Sequence, residues 1–252
     1  MASCPIASNE TERESIALPN WLELPRDITV NILQRLATIE IVTSVRFVCP
    51  MWWYMFKDPL MWRNINMTEF SFITYFDPTK ICHYAIKQSC GHLEDVIIQY
   101  FGTDDLLEFI ADNASKLRSL RLGNCHRISD KGFSEAVKKL PLLESLDISW
   151  CNLSKDSLEV VGQYCPLLTV LKFRRLVFEY TPHVSDDEAF VIAKNMFGLR
   201  HLYMERSKLS SAGLIAILDG CPRLESLDLL GCYNLYLNES LKKKCLDRIK
   251  NL

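Results

Sequence analysis

The sequence predicts an α/β protein, with a small all-helical module at the front and a short solenoid behind it. The solenoid has a curved parallel sheet inside and helices outside. Two observations carry this expectation. From Leu93 onward a pattern L-x-x-L-x-L-x-x-C recurs in six units, each followed by a polar turn and an amphipathic segment. Ahead of it, residues 24–56 carry three short apolar segments separated by chain breakers. The 252 residues, 48% apolar and 24% charged, are enough to give both parts a core.

The repeat units start at Leu93, Leu117, Leu143, Leu168, Leu199 and Leu224, with spacings of 24, 26, 25, 31 and 25 residues. Within each unit the first, fourth and sixth residues point inward as a strand, loosened at Val96, Ile148, Phe173 and Met204. Helical spacing follows, as in Leu158, Val161 and Cys165, or Leu214, Ile217 and Cys221. Ser129 and Ser154 are helix-start residues, and the Leu140-Pro141, Cys165-Pro166 and Cys221-Pro222 pairs stop the helices. No unit buries its apolar side alone, so the units must stack. Cys125, Cys151 and Cys232 recur just past the strand, where a small apolar side chain fills the inner corner of the turn. One unit is longer by about six residues around 176–184, and an added loop in a solenoid either serves binding or is tolerated surface. At the end, Leu241, Cys245, Ile249 and Leu252 share one helical face, which predicts a capping helix with Lys242, Lys243 and Lys244 solvated.

At the front, residues 1–19 lack periodicity and are expected to be a disordered tail. Residues 20–66 form the helical module. Pro25 with Asp27 opens a helix carrying Ile28, Ile32, Leu33 and Leu36, and a second stripe follows at Ile41, Val42, Val45, Val48 and Cys49. Pro50 suits a fresh helix start, and residues 51–56 are apolar all round. Residues 67–92 are a junction with a degenerate first repeat, its strand at Ile65, Asn66 and Met67 and its helix at 81–90. The repeats with their cap then run over 93–252.

The front stretch resembles an F-box. Leu24-Pro25, Ile28, Ile32-Leu33, Leu36, Val45, Val48-Cys49, Trp52, Pro59-Leu60 and Trp62 carry the likeness. The later units resemble the cysteine-containing leucine-rich repeat, and the combination is similar to plant F-box/leucine-rich-repeat proteins. Departures are Pro50, Arg46 and Trp53, and a proline at 50 is expected to alter the angle between the second and third helices.

The resemblance implies a Skp-family adaptor as partner and, through it, a cullin–RING ubiquitin ligase. The protein would then be its non-catalytic substrate receptor, with the repeats holding a target protein. The adaptor-contact candidates are Leu24, Pro25, Ile28, Ile32, Val48, Cys49, Trp52 and Leu60, with Leu33, Leu36 and Val45 assigned to the core. Trp62 is placed at the junction with the solenoid, and Trp21 at either. A small-ligand, hormone-type co-receptor and a repeat scaffold with a degenerate F-box are the rival readings.

For the target, residues alternating with the core leucines project onto the concave face: Arg121, Asp147, Ser149, Trp150, Lys172, Arg174, Tyr203, Glu205 and Asp228. Lys172 and Arg174 make a basic centre, to which an acidic or phosphorylated segment is expected to dock.

Other chemistry finds no pattern. The five histidines stand in no ligand spacing, no C-x-x-C pair occurs, and no glycine-rich phosphate or dinucleotide motif occurs. No catalytic site, cofactor or metal is therefore expected. The formal charge of −2 gives no footprint for nucleic acid or a membrane surface. Charged residues at Glu10, Glu12, Arg13 and Glu14 oppose a secretory leader, so the expected location is intracellular, in cytoplasm or nucleus.

Overall fold

The computed structural model describes residues 23–68, 76–174 and 184–250. The N-terminal tail, Trp21, Leu252 and all of the 176–184 insertion except Val184 lie outside the described residues. The elements run α1 (Arg26–Leu33), α2 (Thr38–Thr43), α3 (Pro50–Met55), β1 (Asn64–Met67), α4 (Pro78–Gln88), β2 (Asp95–Gln99) and α5 (Asp104–Asn113). They continue as β3 (Ser119–Gly123), α6 (Asp130–Val137), β4 (Ser145–Ser149), α7 (Lys155–Tyr164), β5 (Val170–Lys172), α8 (Asp187–Asn195), β6 (His201–Tyr203), α9 (Ser211–Gly220), β7 (Ser226–Asp228) and α10 (Glu239–Arg248). Short 3-10 turns at Val45–Phe47 and Pro59–Trp62 complete the front module.

Among the described residues, the seven strands belong to one parallel sheet in sequential order. Each strand starts the same way. The second residue of a unit donates its N–H to the carbonyl of the equivalent residue one unit earlier: Arg118 to Glu94 at 2.8 Å, Glu144 to Arg118 at 2.8 Å, Thr169 to Glu144 at 2.9 Å. Register then stacks Val96, Leu120, Leu146, Leu171, Leu202 and Leu227 in one inward row, none more than 2% exposed. The repeat pattern thus becomes a continuous core, because parallel strands about 4.8 Å apart place equal positions side by side.

Most helices of the solenoid start at a side-chain cap, α8 excepted. The Ser129 and Ser154 hydroxyls accept the N–H groups of Gly132 at 3.0 Å and Asp156 at 3.2 Å, and Ser210 does the same for Ala212 at 3.1 Å. The eighth position of five units, Tyr100, Asn124, Trp150, Arg206 and Gly231, takes positive φ, between 54° and 75°. The chain turns off the sheet there, and in three of the five units a cysteine follows and tucks inward. Cys125 is 0% exposed, Cys151 9% and Cys232 8%.

One expectation is corrected. The second apolar stripe is not one helix: α2 ends at Thr43, and a 3-10 turn leaves Val48 64% exposed. The stretch Ile65, Asn66 and Met67 lies in β1, which starts at Asn64 and pairs with β2. At the other end α10 packs beside α9, Leu241, Cys245 and Ile249 are buried, and the amide of Lys250 donates to Glu225 O at 3.0 Å. No single helix among the described residues is long and apolar enough to cross a membrane.

Candidate functional site

The front module exposes apolar surface out of proportion to its size. Between Ile28 and Leu60, six large apolar side chains stand in solvent: Ile28 45%, Phe47 61%, Val48 64%, Trp53 40%, Tyr54 65% and Leu60 48%. Pro25 is exposed as well, while Leu24, Ile32, Cys49 and Trp52 are half-buried. Leu33 is 1% exposed, and Leu36 and Val45 pack against the core.

Sequence reasoning missed Phe47, Trp53 and Tyr54 as exposed positions. Phe47 falls off the helical stripe, and an all-apolar helix such as α3 does not reveal which side faces out. Pro50 sits at the first position of α3 behind an extended Cys49 (φ −155°, ψ 161°), so it starts the helix instead of distorting one. The Asp58 carboxylate caps the Leu60 N–H at 3.0 Å, and the Gln34 amide donates to Leu60 O at 3.3 Å, which ties the end of α1 to that segment.

Trp62 joins the module to the solenoid. It is 2% exposed, its indole N–H donates to Phe56 O at 2.8 Å, and its ring meets Tyr84 of α4 edge-on at 5.9 Å. Thr38 Oγ1 accepts the Asn66 amide of the edge strand β1 at 2.9 Å.

The second face is the concave side of the sheet. Register aligns Arg121, Asp147, Lys172, Tyr203 and Asp228 in one row. Arg121, Asp147, Lys172 and Tyr203 help to line a groove of about 320 Å³, together with Ser145, Val170 and His201. The charges on and beside the row largely have partners already. Arg121 pairs with Asp95 at 3.1 Å, and Arg174 with Glu205 at 2.8 Å. The Lys172 amine lies 4.8 Å over the Tyr203 ring, and the Arg174 guanidinium 5.8 Å from the Trp150 ring. The Asp228 carboxylate accepts the Leu230 N–H at 2.9 Å.

Of the expected basic centre, Arg174 faces Glu205 and is 25% exposed, while Lys172 lies over Tyr203. Ser149, expected on the concave face, is corrected, since it is buried with its hydroxyl on the Asp147 carboxylate. Trp150 stands at the left-handed turn, its N–H donating to Arg174 O at 2.8 Å.

A family model described as "Leucine Rich repeat" matches residues 113–134 and 139–162. The chain is 45% identical over 233 residues to the F-box protein SKIP19 of Arabidopsis thaliana, an alignment covering 92% of this chain and 76% of that protein. With the putative F-box/LRR-repeat protein 9 of the same plant it shares 40% identity over 228 residues, covering 86% of this chain and 89% of the relative. The chain belongs to the F-box/LRR-repeat family. Against the putative F-box/LRR-repeat protein 23 of A. thaliana, 42% identical over 255 aligned residues, it spans 56% of the relative's length.

In this F-box/LRR-repeat protein burial holds several cysteines in the thiol form. Burial pushes the thiols of Cys82 and Cys165 up to about 12 and that of Cys221 to about 11. Across neighbouring repeats the interaction of the two thiols lowers the pKa of Cys125 and raises that of Cys151. Among the described residues no group of three or more His, Cys, Asp or Glu is placed to hold a metal ion.

Proposed function

We propose that this protein is a non-catalytic substrate-recognition subunit of an SCF-type ubiquitin ligase. Its F-box docks a Skp-family adaptor, and the adaptor ties it to a cullin–RING ligase. Its repeats present a target protein. The observation that supports this most is the exposed apolar surface on the F-box, from Pro25 and Ile28 through Phe47 and Val48 to Leu60. A module of this size keeps so much apolar area in water only where a partner covers it. Adaptor-contact roles go to Leu24, Pro25, Ile28, Ile32, Val48, Cys49, Trp52 and Leu60.

Target contact belongs to the concave row of Arg121, Asp147, Lys172, Tyr203 and Asp228, with Trp150, Arg174 and Glu205 beside it. Alternating charges and two aromatic rings suit a protein surface of mixed charge. Such a receptor accelerates transfer by proximity, since tethering makes the encounter of target and charged conjugating enzyme effectively intramolecular.

The test is titration calorimetry with a purified Skp-family adaptor. A one-to-one complex is expected, and Leu24→Ala with Pro25→Ala removes it while the repeats stay folded. Absence of binding by the unsubstituted protein at micromolar concentration overturns the reading.

A further inference from the structure

Beside Trp62 and Thr38, a cation of the front module also reaches the first solenoid helix. Arg46 lies in the 3-10 turn Val45–Phe47 and points away from solvent, toward α4. Its Nη1 donates to the Tyr84 hydroxyl at 2.5 Å. Its guanidinium carbon lies 4.6 Å from the centre of the Phe47 ring and 4.8 Å from that of Tyr84. Its Nε is buried and meets no acceptor. A guanidinium held between two rings and one phenol oxygen, with one N–H unanswered, gives up hydration that the long side chain would keep by turning outward. Tyr84 in turn braces Trp62, whose indole is fixed on Phe56 O. The Phe47 ring that meets Arg46 is still 61% exposed, and Val48, just past the turn, is 64% exposed. One rigid turn thus carries both the apolar side chains offered to a partner and the anchor to the first solenoid helix.

We propose that the Arg46–Tyr84 pair is a positioning latch that fixes the angle between the F-box and the repeat solenoid. Planarity matters to it. A guanidinium stacks on both rings and still reaches the hydroxyl, whereas the point charge of a lysine does one or the other. Tyr84 supplies the only hydroxyl in the contact, so loss of that oxygen loosens the latch without removing the ring that packs on Trp62. Its consequence for ubiquitin transfer rests on the reading of this protein as a ligase receptor; the latch itself does not. With a fixed angle, the conjugating enzyme meets a small set of lysines. With a loose one, it samples many.

The experiment uses the full chain with spin labels on ketone-bearing residues at positions 31 and 116, both exposed. Pulsed electron resonance then reads the distance between F-box and solenoid. The parent protein is expected to give one narrow distribution. Tyr84→Phe and Arg46→Lys should each broaden it at least twofold, at an unchanged midpoint of thermal unfolding. Tyr84→Phe, which leaves the exposed F-box surface untouched, should bind a Skp-family adaptor as the parent does. In a reconstituted ligase it should spread self-ubiquitination over more lysines, as read by mass spectrometry. Distance distributions that stay narrow in both variants overturn the latch. If the parent binds no adaptor, the ligase reading fails while the distance measurement still decides the latch.

Discussion

The Asp104 carboxylate at the start of α5 reaches into the next repeat, accepting the Ser129 amide at 2.8 Å and the Ser129 hydroxyl at 2.7 Å. The same bracket recurs from Asp130 to the Ser154 amide at 2.8 Å, and from Asp186 to the Ser210 amide at 2.7 Å and hydroxyl at 2.6 Å. Each acid near a helix start thus aligns the helix start that follows, so the outer row of helices is tied by polar contacts while the sheet is tied by leucines. A carboxylate there also meets the positive end of the next helix.

That bracket needs room. A Cβ on Gly132 would meet Asp104 Cγ at 2.2 Å. Gly132→Ala is therefore expected to destabilise the protein by about 1–3 kcal/mol, although alanine favours helices. In an Asp104→Gly background, which removes both the carboxyl group and the Cβ that an alanine at 132 would meet, the same change should cost less, and the two substitutions should be non-additive. Urea unfolding of the four proteins of this cycle measures it. Equal cost in both backgrounds would refute the bracket as the cause.

The sheet was legible in the sequence because its period is carried by leucines that repeat in every unit, as Leu120, Leu146, Leu171, Leu202 and Leu227 do. The brackets were not, since Asp104 and Ser129 stand 25 residues apart with no local pattern joining them. The same holds for the concave face. Alternation placed Lys172 and Arg174 on it, but only register and side-chain reach show that Arg174 turns to Glu205 and Lys172 to Tyr203. Ser149 and Trp150 departed from alternation because the strand ends there and Trp150 enters the left-handed region. In the F-box, Leu33 followed from helical spacing, whereas the exposure of Phe47 and Tyr54 depends on how a non-periodic 3-10 turn and a single-turn helix lie against their neighbours.

Exposure separates two kinds of F-box substitution. Val48→Glu with Leu60→Glu changes side chains that are 64% and 48% exposed, so stability should move by no more than about 0.5 kcal/mol for each. Adaptor binding should nonetheless be lost, because two charges would be pressed into an apolar interface. Leu33→Ala empties a site only 1% exposed and should cost about 2–5 kcal/mol, weakening binding through unfolding. Calorimetric binding set beside thermal unfolding discriminates them. A strong drop in unfolding temperature for the Val48, Leu60 pair would contradict the exposed-face assignment.

The raised thiols give a pH dependence of definite sign. Below the ordinary thiol value of 9.0, Cys82, Cys165 and Cys221 are protonated both folded and unfolded, and contribute no slope. Above it the unfolded chain releases protons that the native protein retains up to about 12 for Cys82 and Cys165 and about 11 for Cys221. Their contribution to stability is therefore full below pH 9 and is lost as pH rises toward 12. Cys82→Ala should flatten the decline of unfolding free energy over that window. An unchanged slope would show that Cys82 is not held protonated by burial.

The Arg174–Glu205 pair decides how the concave face can be tested. The two side chains are 25% and 21% exposed and 2.8 Å apart, between the screened surface case and the fully buried one. Arg174→Glu sets two carboxylates against each other and should cost about 1–3 kcal/mol. Arg174→Glu combined with Glu205→Arg should recover most of that, since the pair is restored with its partners exchanged. Lys172→Glu removes a cation over the Tyr203 ring and sets a carboxylate beside Asp147, its register neighbour, at the solvated face, and should cost about 1 kcal/mol. The reversal at Lys172 is thus the clean probe of target capture, whereas reversal at Arg174 confounds lost contact with lost packing. Denaturant unfolding of the three variants checks the ordering. If Arg174→Glu proves no more damaging than Lys172→Glu, the ion pair does not hold the face, and Arg174 is available to a target after all.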